Sequence, residues 1–493
     1  MASADAGPRF PQPPLREAFP RLRQLERRDR GYVRRLERLQ LQARGFADRR
    51  LRAVALETDR RAGADPSRLD WELVRAGGAA GMLDLLVPAE LGGRGCLTAE
   101  VAVAMEELCA ACPGLALIFG AHALGISPLL FAGPLHWDVL GEVAESARSP
   151  APMLMACALT EPDAGTDVEN LDLLAVARIS SRARPVPGGY SLSGTKRFIS
   201  NGSVARWLTV LMPVDPRRPV ETWSCFLVDA RSPGFSVARV EHKMGQRACP
   251  AAELTFDEVF VPTERLVGRV GDGGGTTLTV LAASRPAVGA IAVGIARGSF
   301  ERLLGWLRAS VEGRRLLDRQ AVQLRLAAIA ERLHLARQAY FDAAVEFDRA
   351  LGTASRHPLM RALRVVPNRV HRHPRLRGLA SAPASRDALA GLLSRTSSDA
   401  AMSRALGLSS LAKASCADVA MSVTHEALEI AGLTDAPVRA ELEKLWRDAK
   451  LCQIYEGTNQ LNRVEVYRAL VAGETAPVLP PRRRQVELAG AGG

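Results

Sequence analysis

The chain has 493 residues, 47% hydrophobic and 24% charged, with a net charge of +12. That is an ordinary balance for a folded globular chain of two to four domains, and it excludes a disordered or fibrous protein. Lysine occurs only at 196, 243, 413, 444 and 450, so arginine supplies nearly all the positive charge. A coding bias toward arginine accounts for this more simply than attraction to acidic partners, and nucleic acid is not an expected partner. No apolar run approaches the roughly 20 residues of a membrane helix, so no membrane span is expected. Met1 to Pro14 lacks the apolar core of a secretory signal, and Asp5, Glu17, Glu26 and Asp29 argue against a transit peptide. A cytoplasmic location and reduced thiols for the eight cysteines are therefore expected.

In chain order, residues 1–14 are proline-rich and expected to be disordered. From Leu15 to about Ala62, Leu22, Leu25, Val33, Leu36 and Leu39 recur at helical spacing. Leu69 to Cys112 continues as helix, broken at Pro88 and at Gly92-Gly93. Cys109 and Cys112 form a lone Cys-x-x-Cys with no second pair, which reads as packed helix and not as a metal site. From about Met153 the pattern becomes β-like: runs at Tyr190–Thr195, Trp207–Leu211, Ser224–Val228 and Glu253–Phe256 are separated by Pro, Gly and Asp. Long helical patterns return from Ala282 to Arg349 and from Ser398 to Ala431. Residues 350–397, rich in Arg, Pro, Ser and Ala, have weak periodicity and read as an insertion, since so long a loop inside a compact domain is uncommon. Within it, His371 and His373 stand among Arg369, Arg372 and Arg375, which would repel a metal cation. Gly268–Gly275 does not lie in a βαβ unit and is no dinucleotide fingerprint. The fold class is α+β, mostly α. Its parts are a partly disordered extension (1–45), a helical domain (46–152), a central β domain (153–270), a C-terminal helical domain (271–480) carrying the insertion at about 350–397, and a tail (481–493).

Five segments carry chemistry. Leu159-Thr160-Glu161-Pro162-Asp163-Ala164-Gly165-Thr166-Asp167 is a polar loop after an apolar strand, with free hydroxyls and amides for a ligand. Gly194-Thr195-Lys196-Arg197-Phe198-Ile199-Ser200-Asn201-Gly202 is a strand ending in a turn. Lys243-Met244-Gly245-Gln246-Arg247 closes the β region, a mainly structural role. Ser284-Arg285-Pro286 stands near the start of a long helix, and Gln453-Ile454-Tyr455-Glu456-Gly457-Thr458-Asn459-Gln460 near the C-terminus. These segments, in this order, resemble the signatures of the flavin-dependent acyl-CoA dehydrogenases, over roughly residues 46–345 and 400–472.

The resemblance implies FAD bound between the β domain and the C-terminal helices, and α,β-dehydrogenation of an acyl-CoA or carrier-bound acyl thioester. It implies Glu456 as the base that removes the α proton and flavin N5 as hydride acceptor. By the same resemblance Leu159 and Thr160 lie against the flavin ring, Phe198 covers it and Ser200 reaches its polar edge. Thr166 lies near flavin and pantetheine, and Gly432 and Thr458 are further cofactor positions. Arg285, Tyr455 and Gly457 border the substrate, Arg285 toward its CoA portion. Some relatives carry their base one position before this arginine; here that position is Ser284, which leaves Glu456. A homo-oligomer (dimer or tetramer) and electron-transfer flavoprotein or a similar acceptor are the implied partners. Two alternatives stand beside this reading: an oxygen-using oxidase or monooxygenase of the same fold, and a non-catalytic basic flavoprotein binding nucleic acid.

Three departures fall on the surface that the family shares between subunits. The Arg-x-x-Phe-Gly motif is replaced by Ala309-Ser310-Val311-Glu312-Gly313. The Gln-x-x-Gly-Gly-x-Gly loop appears as Glu429-Ile430-Ala431-Gly432-Leu433-Thr434, which puts a carboxylate where a diphosphate is expected. The insertion lies between them. Arg308, Arg314 or Arg315 are candidate replacement cations, and the insertion is expected near a subunit interface or the ADP end of the cleft.

Overall fold

The computed structural model describes residues 12–132, 134–351, 382–393 and 398–475. The disorder expected for residues 1–11, the tail, and His371 and His373 all lie outside the described residues. From Leu15 onward the extension is helical: two short helices, Leu15–Ala18 and Leu22–Arg28, lead into α1 (Arg30–Phe46), whose first turn is capped by Asp29 accepting from the Tyr32 amide. Leu15, Phe19 and Leu22 are buried, and Phe19 stacks on Phe341 with centroids 4.2 Å apart. Each such side chain contributes ~1.5–3 kcal/mol relative to exposure, which is why this segment is docked helix.

α2 (Thr98–Ala111) and α3 (Pro113–Phe131) are separated at Cys112, where Pro113 begins a new helix without needing an amide partner. Cys109 and Cys112 are buried free thiols, and no metal-holding cluster occurs among the described residues. The expectation that no apolar run reaches membrane length needs correcting. By length and composition α3 and the later helix α4 (Gly273–Ala309) are both apolar enough to cross a bilayer. Here 78% and 83% of their most apolar stretches are buried inside the fold, so both are core helices. α4 packs closely on α2 because Gly294 and Gly298 present no side chain there: a Cβ on either would come within 2.5 Å and 2.3 Å of the Glu106 and Ala110 carbonyl oxygens.

The C-terminal domain continues with α5 (Gln320–Leu351), α6 (Pro383–Leu393), α7 (Asp399–Ala431), α8 (Arg439–Leu451) and α9 (Asn459–Val466). The weak periodicity of 350–397 gives no warning of α6. Its Arg386 is buried and donates to the carbonyls of Leu266 at 2.6 Å, Thr263 at 3.1 Å and Gly268, fastening the helix to the end of the β domain. Lone tertiary bonds of this kind leave no periodic trace in the sequence.

The β domain holds two four-stranded sheets. One, ordered β1-β4-β5-β8, contains β1 (Met155–Ala158), β4 (Trp207–Pro213), β5 (Trp223–Asp229) and β8 (Leu266–Val267). The other, ordered β2-β3-β7-β6, contains β2 (Arg182–Val186), β3 (Gly189–Ser200), β7 (Ala251–Pro262) and β6 (Phe235–Val240). β1 and β4 pair in parallel; the other pairs are antiparallel. Leu208, Val210 and Phe226 face Leu192, Leu254 and Phe256 between the sheets. Trp207, Leu211 and Leu227 face helices on the other side, so β4 and β5 are buried almost throughout and mostly apolar, as a doubly covered sheet requires.

Candidate active site

The loop after β1 is fixed by its own carboxylate. Glu161 accepts from the amides of Ser180 at 2.8 Å and Ser181 at 3.1 Å, and from the buried Lys196 Nζ at 2.9 Å. Lys196 also donates to the Leu159 carbonyl at 3.0 Å. Leu159, Thr160 and Thr166 are thereby held half-buried. β3 joins them through the Arg197 amide, which donates to the Thr160 carbonyl at 2.9 Å. A register shift between Lys196 and Ile199 inverts the next residue, so Lys196 points inward while Phe198, at φ 58°, turns outward and is 55% exposed. A left-handed aromatic in a strand carries backbone strain and is maintained only by its surroundings. Ser200 follows half-buried, its hydroxyl against the Cys249 thiol.

The second half of the site is the loop between α8 and α9. Glu456 and Gly457 are consecutive left-handed residues, φ 57° and 79°. Their carbonyls are held by three donors. Arg285 Nε donates to the Glu456 oxygen at 3.1 Å, Lys413 Nζ to the Gly457 oxygen at 2.6 Å, and Asn462 Nδ2 to the same Gly457 oxygen at 2.9 Å. The Glu456 carboxylate receives the Ser284 hydroxyl at 2.5 Å. Burial pushes the Glu456 pKa above its ordinary value of 4.5; the Ser284 bond and the charges of Arg285 and Lys413 oppose this without cancelling it. Lys413 is itself depressed to about 8, chiefly by burial.

The two halves meet. Thr166 opens a 3-10 turn ending at Glu169, whose carboxylate oxygen lies 3.6 Å from Arg285 Nη2. Thr160, Thr166, Arg285, Glu456 and Gly457 are thus linked by contacts within one chain, and Phe198 and Ser200 join through β3. Other placements differ from what the sequence suggests. Arg285, expected to reach the CoA portion, is entirely buried, its Nη1 donating to Ser410 Oγ at 2.8 Å, so it braces the loop. The Tyr455 hydroxyl turns inward to Gln246 Nε2 at 3.3 Å and Cys452 Sγ at 3.2 Å. The Thr458 hydroxyl accepts from the Leu461 amide at 3.3 Å and caps α9. Gly432 is exposed at the end of α7, roughly 28 Å along the axis from Lys413 at about 1.5 Å per residue, and is not brought to this site.

On the altered surface, Ser310 caps the helix Val311–Leu317, and Arg314 Nη1 closes the end of α4 by donating to the Arg308 and Ala309 carbonyls, each at 3.1 Å. Glu429 is ion-paired with Arg325 at 2.5 Å, so its charge is countered within the chain. Sequence reasoning missed Lys413, Glu169, Asn462 and Ser410. One signal was available for Lys413: among five lysines in an arginine-dominated chain, Lys196, Lys413 and Lys444 are buried, where a guanidinium would not fit the same bonds.

The site thus brings together an outward aromatic, hydroxyl side chains and a carboxylate of raised proton affinity in a left-handed loop. The acyl-CoA dehydrogenase N-terminal domain matches residues 35–134, the middle domain 156–259 and the C-terminal domain 271–372 and 379–471. The chain belongs to the acyl-CoA dehydrogenase family of FAD-binding oxidoreductases. Among its relatives, the Mycobacterium tuberculosis protein named probable acyl-CoA dehydrogenase FadE25 is 29% identical over 433 residues, 87% of this chain and 93% of that one. Cyclohex-1-ene-1-carbonyl-CoA dehydrogenase of Syntrophus aciditrophicus is 30% identical over 396 residues, 79% and 80% of the respective chains. The butyryl-CoA dehydrogenase structure from Megasphaera elsdenii superposes with a TM-score of 0.67 at 24% identity, covering 88% of this chain and 98% of that chain, a likeness of fold. The residues present fit the ring end of FAD: Phe198 offers an exposed aromatic, and the half-buried Thr160 and Ser200 offer hydroxyls on the adjoining loop and strand.

Proposed function

We propose that this protein catalyses FAD-dependent α,β-dehydrogenation of an acyl thioester, with Glu456 as the base. The observation that carries the reading is Glu456 itself, a recessed carboxylate of raised proton affinity in a left-handed loop braced at both carbonyls. Bound FAD supplies the acceptor for the β-hydride. Glu456 takes the α proton, and its raised pKa suits abstraction from a weak carbon acid. Ser284 occupies Oε2, leaving Oε1 for the incoming proton. Arg285, Lys413 and Asn462 prevent the loop from following the substrate. Phe198, Thr160 and Ser200 would hold the flavin ring. The names of the relatives favour CoA as the carrier. Gly432, at the far end of α7 from Lys413, is better placed to serve the cofactor of a second copy of the chain, which favours a homo-oligomer.

The test is anaerobic titration of the flavin-loaded protein with acyl-CoAs of graded length and with a carrier-bound acyl thioester. Bleaching of the yellow flavin by one class identifies the substrate; a loaded protein that no thioester bleaches overturns the reading.

A further inference from the structure

Glu169 belongs to none of the motifs above, yet its carboxylate reaches the catalytic loop. It is 8% exposed, and its Oε2 would lie 2.8 Å from a Cβ placed on Gly457. The Gly457 amide lies against it and favours its ionised form. Arg285 is shared: Nε serves the Glu456 carbonyl, Nη1 serves Ser410, and Nη2 faces Glu169 Oε2 at 3.6 Å. Neither of those two facing atoms has a hydrogen-bond partner among the described residues. One guanidinium therefore meets the carboxylate of Glu169 and the backbone carbonyl of Glu456, two elements of different domains, and its charge also reaches the Glu456 carboxylate.

We infer that Glu169 is a positioning residue for the base: it fixes the Glu456–Gly457 peptide and competes with Glu456 for the charge of Arg285, so that its ionisation sets the proton affinity of Glu456. The inference rests on the reading of Glu456 as base. The charged and titratable groups facing the pair are Arg285 on α4, Lys413 on α7 and the Cys157 thiol on β1; Glu465 on α9 is turned to Asn170 beside it. Burial pushes the Glu169 pKa up to about 7; Arg285 and Lys413 pull it down, and the charge of Glu456 pushes it up again. Like charges sharing a desolvated site cannot ionise independently.

Glu169→Gln keeps size and an accepting oxygen while removing the charge. Infrared titration of the FAD-loaded protein, without substrate, follows the buried carboxyls directly, and the pH profile of flavin reduction follows the base. In E169Q the titration of Glu456 is expected to move down by about one pH unit, a tenfold larger ionised fraction at pH values below the wild-type limb. Flavin reduction there rises by up to the same factor. The reciprocal variant E456Q must move the Glu169 titration down by a similar amount, because coupling is mutual, and this measures the link without altering Glu169. If the carboxyl titrations stay in place in both variants, Glu169 is only a strut and the inference is overturned; a strut role also predicts that Gln restores the wild-type profile unchanged. If the reciprocal shifts appear but E456Q reduces its flavin at the wild-type rate, the coupling stands and the assignment of the base fails.

Discussion

Two buried ion clusters in this molecule use the same ingredients to opposite ends. Between α1, α2, α4 and α5, Glu106 meets Arg337 at 2.8 Å, the Tyr340 hydroxyl at 2.5 Å and Arg297 Nε at 3.0 Å. Glu107 beside it meets Arg297 at 2.7 Å, Arg44 at 2.8 Å and Gln40 at 2.9 Å. Burial alone would raise Glu107, but Arg297 and Arg44 overrule it and bring its pKa down to about 2. At the Glu456 loop, Arg285 and Lys413 spend their hydrogen bonds on backbone carbonyls, Ser410 and Asn459, and among the described residues the Glu456 carboxylate receives a single hydroxyl. There burial wins and the carboxylate is basic. What separates a strut from a base is where the guanidinium hydrogens point, more than whether a guanidinium is near.

This contrast can be broken at either end. The largest effect is expected for Glu456→Gln, which should keep flavin yet slow its reduction by about 10²–10⁴-fold; stopped-flow bleaching at the wild-type rate would return Glu456 to the status of a strut. At the other cluster, Arg297→Met takes from two buried carboxylates the cation they share, leaving Glu106 to Arg337 and Glu107 to Arg44, and should cost about 3–5 kcal/mol in urea unfolding while leaving the pH limb of flavin reduction unmoved. The sign at low pH follows from Glu107. Its folded pKa is depressed from the ordinary 4.5 to about 2, so its contribution is present above 4.5 and lost as pH falls toward 2. Glu107→Gln should therefore lower stability at neutral pH and flatten the acid limb between those values.

Smaller substitutions sharpen the comparison. Gly457→Ala forces a Cβ to within 2.8 Å of Glu169 and 3.1 Å of Arg285 at φ 79°. Strain of about 1–3 kcal/mol should shift the loop and slow flavin reduction by about tenfold or more, with flavin content preserved. Ser284→Ala removes the one hydrogen bond to the Glu456 carboxylate among the described residues, so its pKa should rise further. The reduction limb then moves by about one unit to higher pH, and activity is regained on the alkaline side; a limb that moves to lower pH would contradict the geometry. Smallest are Ser200→Ala and Thr160→Val, each expected to loosen FAD by no more than about tenfold, the scale of one neutral hydrogen bond, as measured by flavin retention on dialysis.

The residues of the proposed site that the structure brings together lie mostly in contiguous segments. Glu456 within its octapeptide, Thr160 and Thr166 in one loop, and Phe198 and Ser200 in one strand can be read in a line. Lys413 and Glu169 could not be read this way. Lys413 is enclosed in an alanine-rich helix whose pattern signals only core, and Glu169 follows the recognisable loop by two residues with nothing to mark it. The long helices and the central strands were legible from period and composition. The edge strand β6, exposed at Ser236, Val237, Ala238 and Arg239, has no buried face to pattern its sequence, and α6 is fastened by scattered tertiary contacts such as those of Arg386 and Asp387. The apolar length of α3 was hidden by its glycines and His122, although the helix is buried along most of its length.

The distribution of lysines has a further chemical consequence. Acyl thioesters are electrophiles toward unprotonated amines, and a protein bathed in them risks acylating itself. Arginine, protonated at any physiological pH, is inert to this reaction. In this chain Lys196, Lys413 and Lys444 are sealed in the interior, Lys243 Nζ is bonded to the Gln246 carbonyl, and Lys450 is the lysine left exposed. The surface of a protein proposed to handle activated acyl groups thereby carries almost no side-chain primary amine, and slow spontaneous acylation of its lysines should concentrate at Lys450.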